Sequence, residues 1–273
     1  MNILTFDIED WFHTHENRQY FSGHVWKELP SRVEANTIRI LDMLDELNLK
    51  ATFFILGWVA EHHPYLVKRI QQAGHEIGAH SNWHHTATLL SPEDFNKDLV
   101  ICLSRLQDVI GESITSYRAP GFSLGLKDKW AFEILAANGI TVDSSVKLIG
   151  QKHKTPLIIE AGDKQILEFP LLKSAIGIPY SGGGYFRAMP EFLYNYFFKV
   201  DTEAGSNDKY KLLYFHPRDF DPDNPYSNLF TLYRNWLNSY NTDKCMDRLR
   251  RILLTHNTCT LGEAVSQYNI KKK

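Results

Sequence analysis

A chain of 273 residues, 43% hydrophobic and 23% charged, can bury a full core and has the make-up of an ordinary soluble globular protein. A formal net charge of −2, with no run of like charge beyond the terminal Lys271, Lys272 and Lys273, gives no electrostatic case for nucleic-acid binding. Cys102, Cys245 and Cys259 are widely spaced and odd in number, which speaks against a disulfide framework or a cysteine-built zinc site.

The opening MNILTFD lacks the basic and long apolar regions of a secretory signal, and no apolar run reaches the roughly 18 residues of a membrane span, so a cytoplasmic protein is expected. NILTF (2–6) predicts a first strand. Residues 34–47 place Ile38, Leu41, Leu44 and Leu47 at helical spacing. ATFFILG (51–57) predicts a buried strand. PYLVKRIQQAG (64–74) opens on Pro and closes on Gly, the usual punctuation of a helix. HEIGAH (75–80) is strand-like again. Ser91 caps a helix that Gly111 stops. SYRAP ends a strand, and a helix near 128–138 leads into ITVDSS. ILEFPLL (166–172) and KLLYFHP (211–217) predict further strands, and helices are expected at 190–199, 243–255 and 261–268. There is no linker, repeat or low-complexity tract. The alternation implies one α/β domain over 1–273, with helices at its C-terminal end and a mostly parallel sheet, open or closed into a barrel.

Asp7, His80, Arg118, Asp143 and His216 each fall at the end of an expected strand. In parallel α/β folds those ends share the face on which sites are built. HSNWH sets His80 and His84 at i and i+4, a chelating pair if the segment is helical or tightly turned. For an isolated HxxxH, two surface histidines are the commoner outcome. His85 competes with His84, and the spacing favours His84. Two histidines and a carboxylate suit a divalent ion: Zn2+ first, with Co2+, Fe2+ or Ni2+ as alternatives.

TFDIEDW (5–11) supplies the carboxylate. Along a strand, Asp7 and Glu9 point the same way and Asp10 elsewhere, unless the strand bulges and gives Asp10 the place of Glu9. A bound cation would relieve the repulsion among these acids. Asp7 is then the candidate base for water activated by the metal, with Arg118 pairing to keep it ionised. His216 is the candidate acid, its ring held by Asp143. Each has a plainer alternative, such as a structural salt bridge for Arg118 or a core-edge histidine for His216. Their joint position at five strand ends favours a site.

The motifs TFDIED, HSNWH, RAP (118–120), VDSS and LYFHP, in this order, resemble the polysaccharide deacetylases of the NodB-homology or carbohydrate esterase 4 group, from Thr5 to about Pro217. The resemblance implies a distorted (β/α) barrel, often seven-stranded, and metal-dependent removal of N-acetyl groups from a polysaccharide or glycan precursor. It implies Asp7 as base, Glu9, His80 and His84 as metal ligands, Arg118 as the base's partner, Asp143 as the residue tuning the acid, and His216 as the acid. Backbone N–H groups after Pro120 would hold the oxyanion. The usual adjacent acids are replaced by D-x-E, similar to a bacterial subgroup that includes surface-polysaccharide and peptidoglycan deacetylases. GIPYSGGGYFR and HPRDFDPDNP also resemble that subgroup.

SGGGYFR (181–187) lacks the lysine and spacing of a phosphate loop. It reads as a flexible loop lining a sugar site or as a plain turn. Phe122, Tyr185 and Arg187 are the candidate substrate contacts. Trp11, Trp58 and Trp83 either stack on sugars or sit in the core. An N-acetylated glycan is the expected partner, and the oligomeric state is open. Two other readings are an allantoinase-like cyclic-amide hydrolase and a non-catalytic glycan-binding module on the same fold.

Overall fold

NILTF has no polar alternation, so a strand built from it must be covered on both faces, as in a central parallel strand. The computed structural model describes residues 1–14, 17, 20–21, 23–148, 155–171, 181–203 and 209–272. In chain order its elements are β1 (Asn2–Ile8), α1 (Val33–Glu46), β2 (Thr52–Ile55), α2 (Gly57–His62), α3 (Pro64–Gln72), β3 (Glu76–Ala79), α4 (Pro92–Ile110), β4 (Ser116–Tyr117), α5 (Lys129–Ala137), β5 (Val142–Asp143), β6 (Leu157–Ala161), β7 (Lys164–Glu168), α6 (Gly183–Ala188), α7 (Glu191–Glu203), β8 (Lys211–Phe215), α8 (Leu232–Ser239), α9 (Thr242–Thr255) and α10 (Leu261–Lys272).

Among the described residues one sheet takes all eight strands, in the order β6-β7-β5-β4-β3-β2-β1-β8. β1 is buried from Ile3 onward, as its apolar run requires. Every pairing is parallel except the β6–β7 hairpin. The seven parallel strands are those that the alternation predicts. The eighth, β6, is an edge strand that alternates buried with exposed residues and leaves Ile158 half exposed, so no continuous apolar run announces it. Within the described residues nothing pairs β8 with β6, so the distorted (β/α) barrel stays open between them.

The helix punctuation is where the sequence places it. Ser91 Oγ accepts the Asp94 N–H at 3.1 Å, and Gly111 ends α4 at φ +74°. The short helix α2, which begins on Gly57, has too few turns to show a periodicity. α8 turns Leu232, Tyr233 and Trp236 to solvent, so it offers no inward apolar stripe to read. SGGGYFR is not a loop, because α6 spans most of it. Residues 177–180 of GIPYSGGGYFR lie outside the described residues.

Trp11 and Trp58 are buried, in an aromatic cluster with Phe12, His13 and Trp26, so they present no face to a sugar; Trp83 is half-buried against the same cluster. All three cysteines are free and buried. The strand ends carrying Asp7, His80, Arg118, Asp143 and His216 lie on one face, as the parallel registers Asp7↔Phe54, Ala79↔Tyr117, Tyr117↔Asp143 and Phe6↔Phe215 require.

Candidate active site

At the C-terminal ends of the strands lies a cavity of about 170 Å³. Asp7, Glu9, His80, His84, Phe122 and His216 line it, together with Lys147, Tyr214 and Arg218. Asp7 sits at the end of β1 against Arg118, whose Nη1 donates to Asp7 Oδ1 at 2.6 Å and to Thr5 Oγ1 at 2.8 Å. The guanidinium also donates to the Ser144 carbonyl at 3.2 Å and to Ser144 Oγ at 3.1 Å. Its flat faces rest on Phe54 at 4.2 Å and Phe122 at 4.9 Å. A fully buried positive charge is thereby fixed against one carboxylate.

Glu9, His80 and His84 bring one ligand atom each to within 4.8 Å of one another. The HSNWH segment is tightly turned rather than helical, with Ser81 at φ 66° and His84 at φ 55°. Asp98 of α4 holds the turn by accepting the N–H groups of Asn82 at 2.8 Å and Trp83 at 3.1 Å. His84 faces Glu9, Nε2 to Oε2 at 2.5 Å, while His85 lies beside Asp98 at 3.9 Å. His80 Nδ1 donates to the Arg118 carbonyl at 2.8 Å, which leaves its Nε2 without a proton and free to ligate.

The residues present fit a divalent ion. Glu9 Oε2 is buried and makes no hydrogen bond, despite its contact with His84. Burial alone would raise the Glu9 carboxyl, but His84, Arg218 and His216 outweigh it and hold the group well below the usual carboxylate range. Burial pushes His80 down to about 4, so the ring is neutral near pH 7, as a ligand must be. Arg218 donates to Glu9 Oε1 from the turn after β8.

Asp10 takes no part in the cavity. Its Oδ2 accepts the N–H groups of Arg32 at 3.0 Å and Val33 at 3.2 Å, so it caps α1, a helix that lacks a capping side chain at its own N-terminus. The crowding of acids in TFDIEDW is therefore divided: Asp7 to an arginine, Glu9 to the histidines and Asp10 to a helix end.

His216 Nε2 lies 3.4 Å from Glu9 Oε1 and 4.0 Å from Asp7 Oδ2. Its Nδ1 meets Asp219 Oδ2 at 3.1 Å, and here the expectation from the sequence needs correcting. Asp143 does not touch His216. Its carboxylate accepts Ser145 Oγ–H at 2.7 Å and Ser145 N–H at 3.1 Å, and it faces Glu168. Burial raises both carboxyls, and the Asp143 charge helps to push Glu168 well above its usual range. Four strands separate β5 from β8 in the sheet, a distance that a strand-end motif does not reveal.

Of the expected substrate contacts, Phe122 lines the cavity, edge-on to Tyr214 at 4.8 Å. Tyr185 is half exposed on α6 and does not line it. Arg187 turns away and donates Nε to Asp219 Oδ1 at 3.1 Å. Asp219, Arg218, Lys147 and Tyr214 join these residues at the site, although the sequence assigns none of them a role. Only Asp219 leaves a signal: His216 and Asp219 form a capping box around the turn Pro217–Phe220.

An open parallel (β/α) barrel with a buried Asp–Arg pair beside a two-histidine, one-carboxylate cluster defines a NodB-type protein. The family described as "Polysaccharide deacetylase" matches residues 3–142, and the chain belongs to it. A "Domain of unknown function (DUF3473)" matches residues 142–266. A Bacillus cereus "Peptidoglycan-N-acetylglucosamine deacetylase" is 37% identical over 98 residues, 36% of this chain and 36% of that protein. The chain thus spans only about a third of that relative. Among solved structures, a candidate polysaccharide deacetylase from Mycobacterium smegmatis superposes with a TM-score of 0.67 at 19% identity, over 99% of this chain and 90% of its own. A Bacillus anthracis "CE4 family pseudoenzyme" gives 0.53 at 13% identity, over 97% of this chain and 64% of its own. At such identities the likeness is one of fold, and activity has to be argued from the site.

Proposed function

We propose that the protein is a metal-dependent hydrolase that removes N-acetyl groups from a polysaccharide or glycan precursor. The observation that carries this reading is the meeting, in one cavity, of the Asp7–Arg118 pair at 2.6 Å with the Glu9–His80–His84 cluster. Family membership and the activity named for the Bacillus cereus relative support an N-acetylated sugar as substrate. Two imidazoles and a carboxylate favour Zn2+, with Co2+, Fe2+ and Ni2+ compatible. When bound there, the ion supplies Lewis acidity toward the acetamide carbonyl and makes water easier to deprotonate.

The chain's own residues do the rest. Asp7, fixed by Arg118, takes the proton of the attacking water. His216 gives a proton through Nε2 to the departing amine. Phe122 walls the cavity beside the acetyl group. The Phe122 N–H is already donated to the Ala119 carbonyl at 3.0 Å, so the Gly121 N–H at the cavity wall is the candidate donor to the oxyanion. Residues 1–273 are read as one domain, because a single sheet joins strands from both ends of the chain. Among the described residues no helix is long and apolar enough to cross a membrane.

The test is mass spectrometry of polymer-, nucleotide- and lipid-linked N-acetyl sugars incubated with the zinc-loaded and the metal-stripped protein. Loss of acetyl mass with the loaded form alone is expected. No loss on any of them, or hydrolysis of a cyclic ureide instead, overturns the reading.

A further inference from the structure

The segment SGGGYFR has no place in the chemistry above, since neither Tyr185 nor Arg187 reaches the cavity. It stands instead behind His216. Asp219 is the link. Its Oδ2 accepts both the backbone N–H of His216 at 2.9 Å and the ring Nδ1–H at 3.1 Å, while Oδ1 accepts Arg187 Nε–H at 3.1 Å. Arg187 is itself tied down. Its Nη1 donates to the carbonyls of Leu237 at 3.2 Å and Tyr240 at 2.7 Å, where α8 ends. Burial alone would raise the Asp219 carboxyl, but the His216 hydrogen bond and the Arg187 charge outweigh it and keep the group ionised.

The glycines belong to the same arrangement. A Cβ on Gly183 would lie 1.9 Å from Asp219 Oδ2, and one on Gly182 would lie 2.4 Å from Tyr214 Oη. Asp219 is buried and held from both sides, so it has nowhere to retreat. The Ser181 carbonyl accepts the Tyr214 N–H at 3.0 Å, which clips the segment to the edge of β8, two residues before His216.

We propose that Arg187 and Gly183 are positioning residues for the acid of the reaction, acting through Asp219; this rests on the reading of His216 as that acid. With Nδ1–H given to Asp219, Nε2 is the ring atom turned toward Asp7 and Glu9, where the amine departs. The ring gives its proton as the imidazolium, and if the lock is lost it can turn, so that its Nε2–H no longer faces the departing amine. Such a defect slows the departure of a poor leaving group, an amine, and spares a leaving group that needs no proton.

Two substrates separate these effects: an N-acetylglucosamine oligomer, and 4-nitrophenyl acetate, whose phenolate leaves unprotonated. With the full chain loaded with Zn2+, Asp219→Asn, Arg187→Met and Gly183→Ala are expected to lower kcat on the amide by roughly 10²-fold, the usual scale of acid catalysis. KM, zinc content and the aryl ester rate are expected to hold. Arg187→Lys, which keeps the charge and loses the fork, should recover part of the amide rate. Equal loss on both substrates, or no loss on the amide, overturns the proposal.

If the wild type cleaves neither substrate, the functional reading fails, and the positioning is decided by the imidazole ¹⁵N shifts of His216, assigned with His216→Asn. A proton fixed on Nδ1 in the wild type and mixed tautomers in Asp219→Asn and Arg187→Met support the lock. Identical spectra overturn it.

Discussion

Replacing Asp7 with Asn separates the base from the metal ligands and puts two magnitudes at risk at once. Asn keeps the shape and one acceptor for Arg118 Nη1 but removes the charge that the fully buried guanidinium faces at 2.6 Å. Breaking a buried ion pair from one side costs about 3–5 kcal/mol. Arg118 retains Thr5 Oγ1, two Ser144 acceptors and two aromatic faces, so the lower end, about 3 kcal/mol, is expected. For a chain of this size each kcal/mol shifts Tm by about 2 °C, which predicts a fall of about 6 °C in a calorimetric scan. Loss of a positioned base lowers kcat/KM by roughly 10²–10⁴-fold. Zinc content, measured by mass spectrometry, should not change, because Glu9, His80 and His84 are intact. Adding Arg118→Met removes the stranded charge, so the double variant should be less destabilised than the sum of the two singles. Full turnover by Asp7→Asn would show that Asp7 is not the base. Loss of zinc together with activity would make Asp7 a ligand, and the division of labour argued for β1 would be wrong.

His84→Ala should release zinc to a chromophoric chelator, whereas Asp10→Ala should retain it and lose about 1 kcal/mol of stability with the cap of α1; zinc release from Asp10→Ala would return Asp10 to the metal. Glu168 holds a proton in the folded state that the unfolded chain gives up above about pH 4.3, so stability should fall as pH rises from there toward the raised folded pKa. Glu168→Gln keeps a partner for Asp143 and removes this proton linkage. Its urea midpoint should therefore decline less than the wild type's as pH rises above about 5, and parallel declines would refute the raised Glu168 carboxyl. A Cβ on Gly78 would lie 2.6 Å from Phe54 Cδ1 and 2.7 Å from Ser116 Oγ, so Gly78→Ala should destabilise by about 1–3 kcal/mol by overpacking; an unchanged denaturation midpoint would mean that β2, β3 and β4 can part.

The parallel strands are legible because each is a short apolar run closed by a turn residue, and burial on both faces leaves no other reading of NILTF or ATFFILG. β6 and α8 break that rule from opposite directions. One is a half-exposed edge, and the other turns its large apolar side chains to solvent. In the site, Asp7, His80 and Arg118 could be read because they sit at or just past the ends of β1, β3 and β4, where register alone fixes their direction. Asp143 satisfies the same rule and points to Glu168, since a strand end specifies a face of the sheet and not a neighbour. Arg187 and Asp219 belong to a helix and a turn brought together across 32 residues of sequence. Sequence gives such residues their type and withholds the direction of their side chains.

The two family matches meet at residue 142, where β5 begins in the middle of the sheet. The cavity does not respect that boundary. Asp7, Glu9, His80, His84 and Arg118 lie in the first segment; Lys147, Tyr214, His216 and Arg218 lie in the second. β8 of the second segment runs beside β1 of the first, from Asn2↔Lys211 to Phe6↔Phe215, and this pairing carries His216 to within 4.0 Å of Asp7. The proposed base and metal ligands thus come from the half that defines the family, and the proposed acid and its Asp219–Arg187 lock come from the half described only as a domain of unknown function. Both cations beside the candidate ligands, Lys147 and Arg218, also come from that second half. Hydrolysis is therefore the part of the function that kinship can inform. The cavity wall is drawn from both segments, Phe122 from the first and Lys147, Tyr214 and Arg218 from the second, so substrate identity has to be sought by varying residues of both.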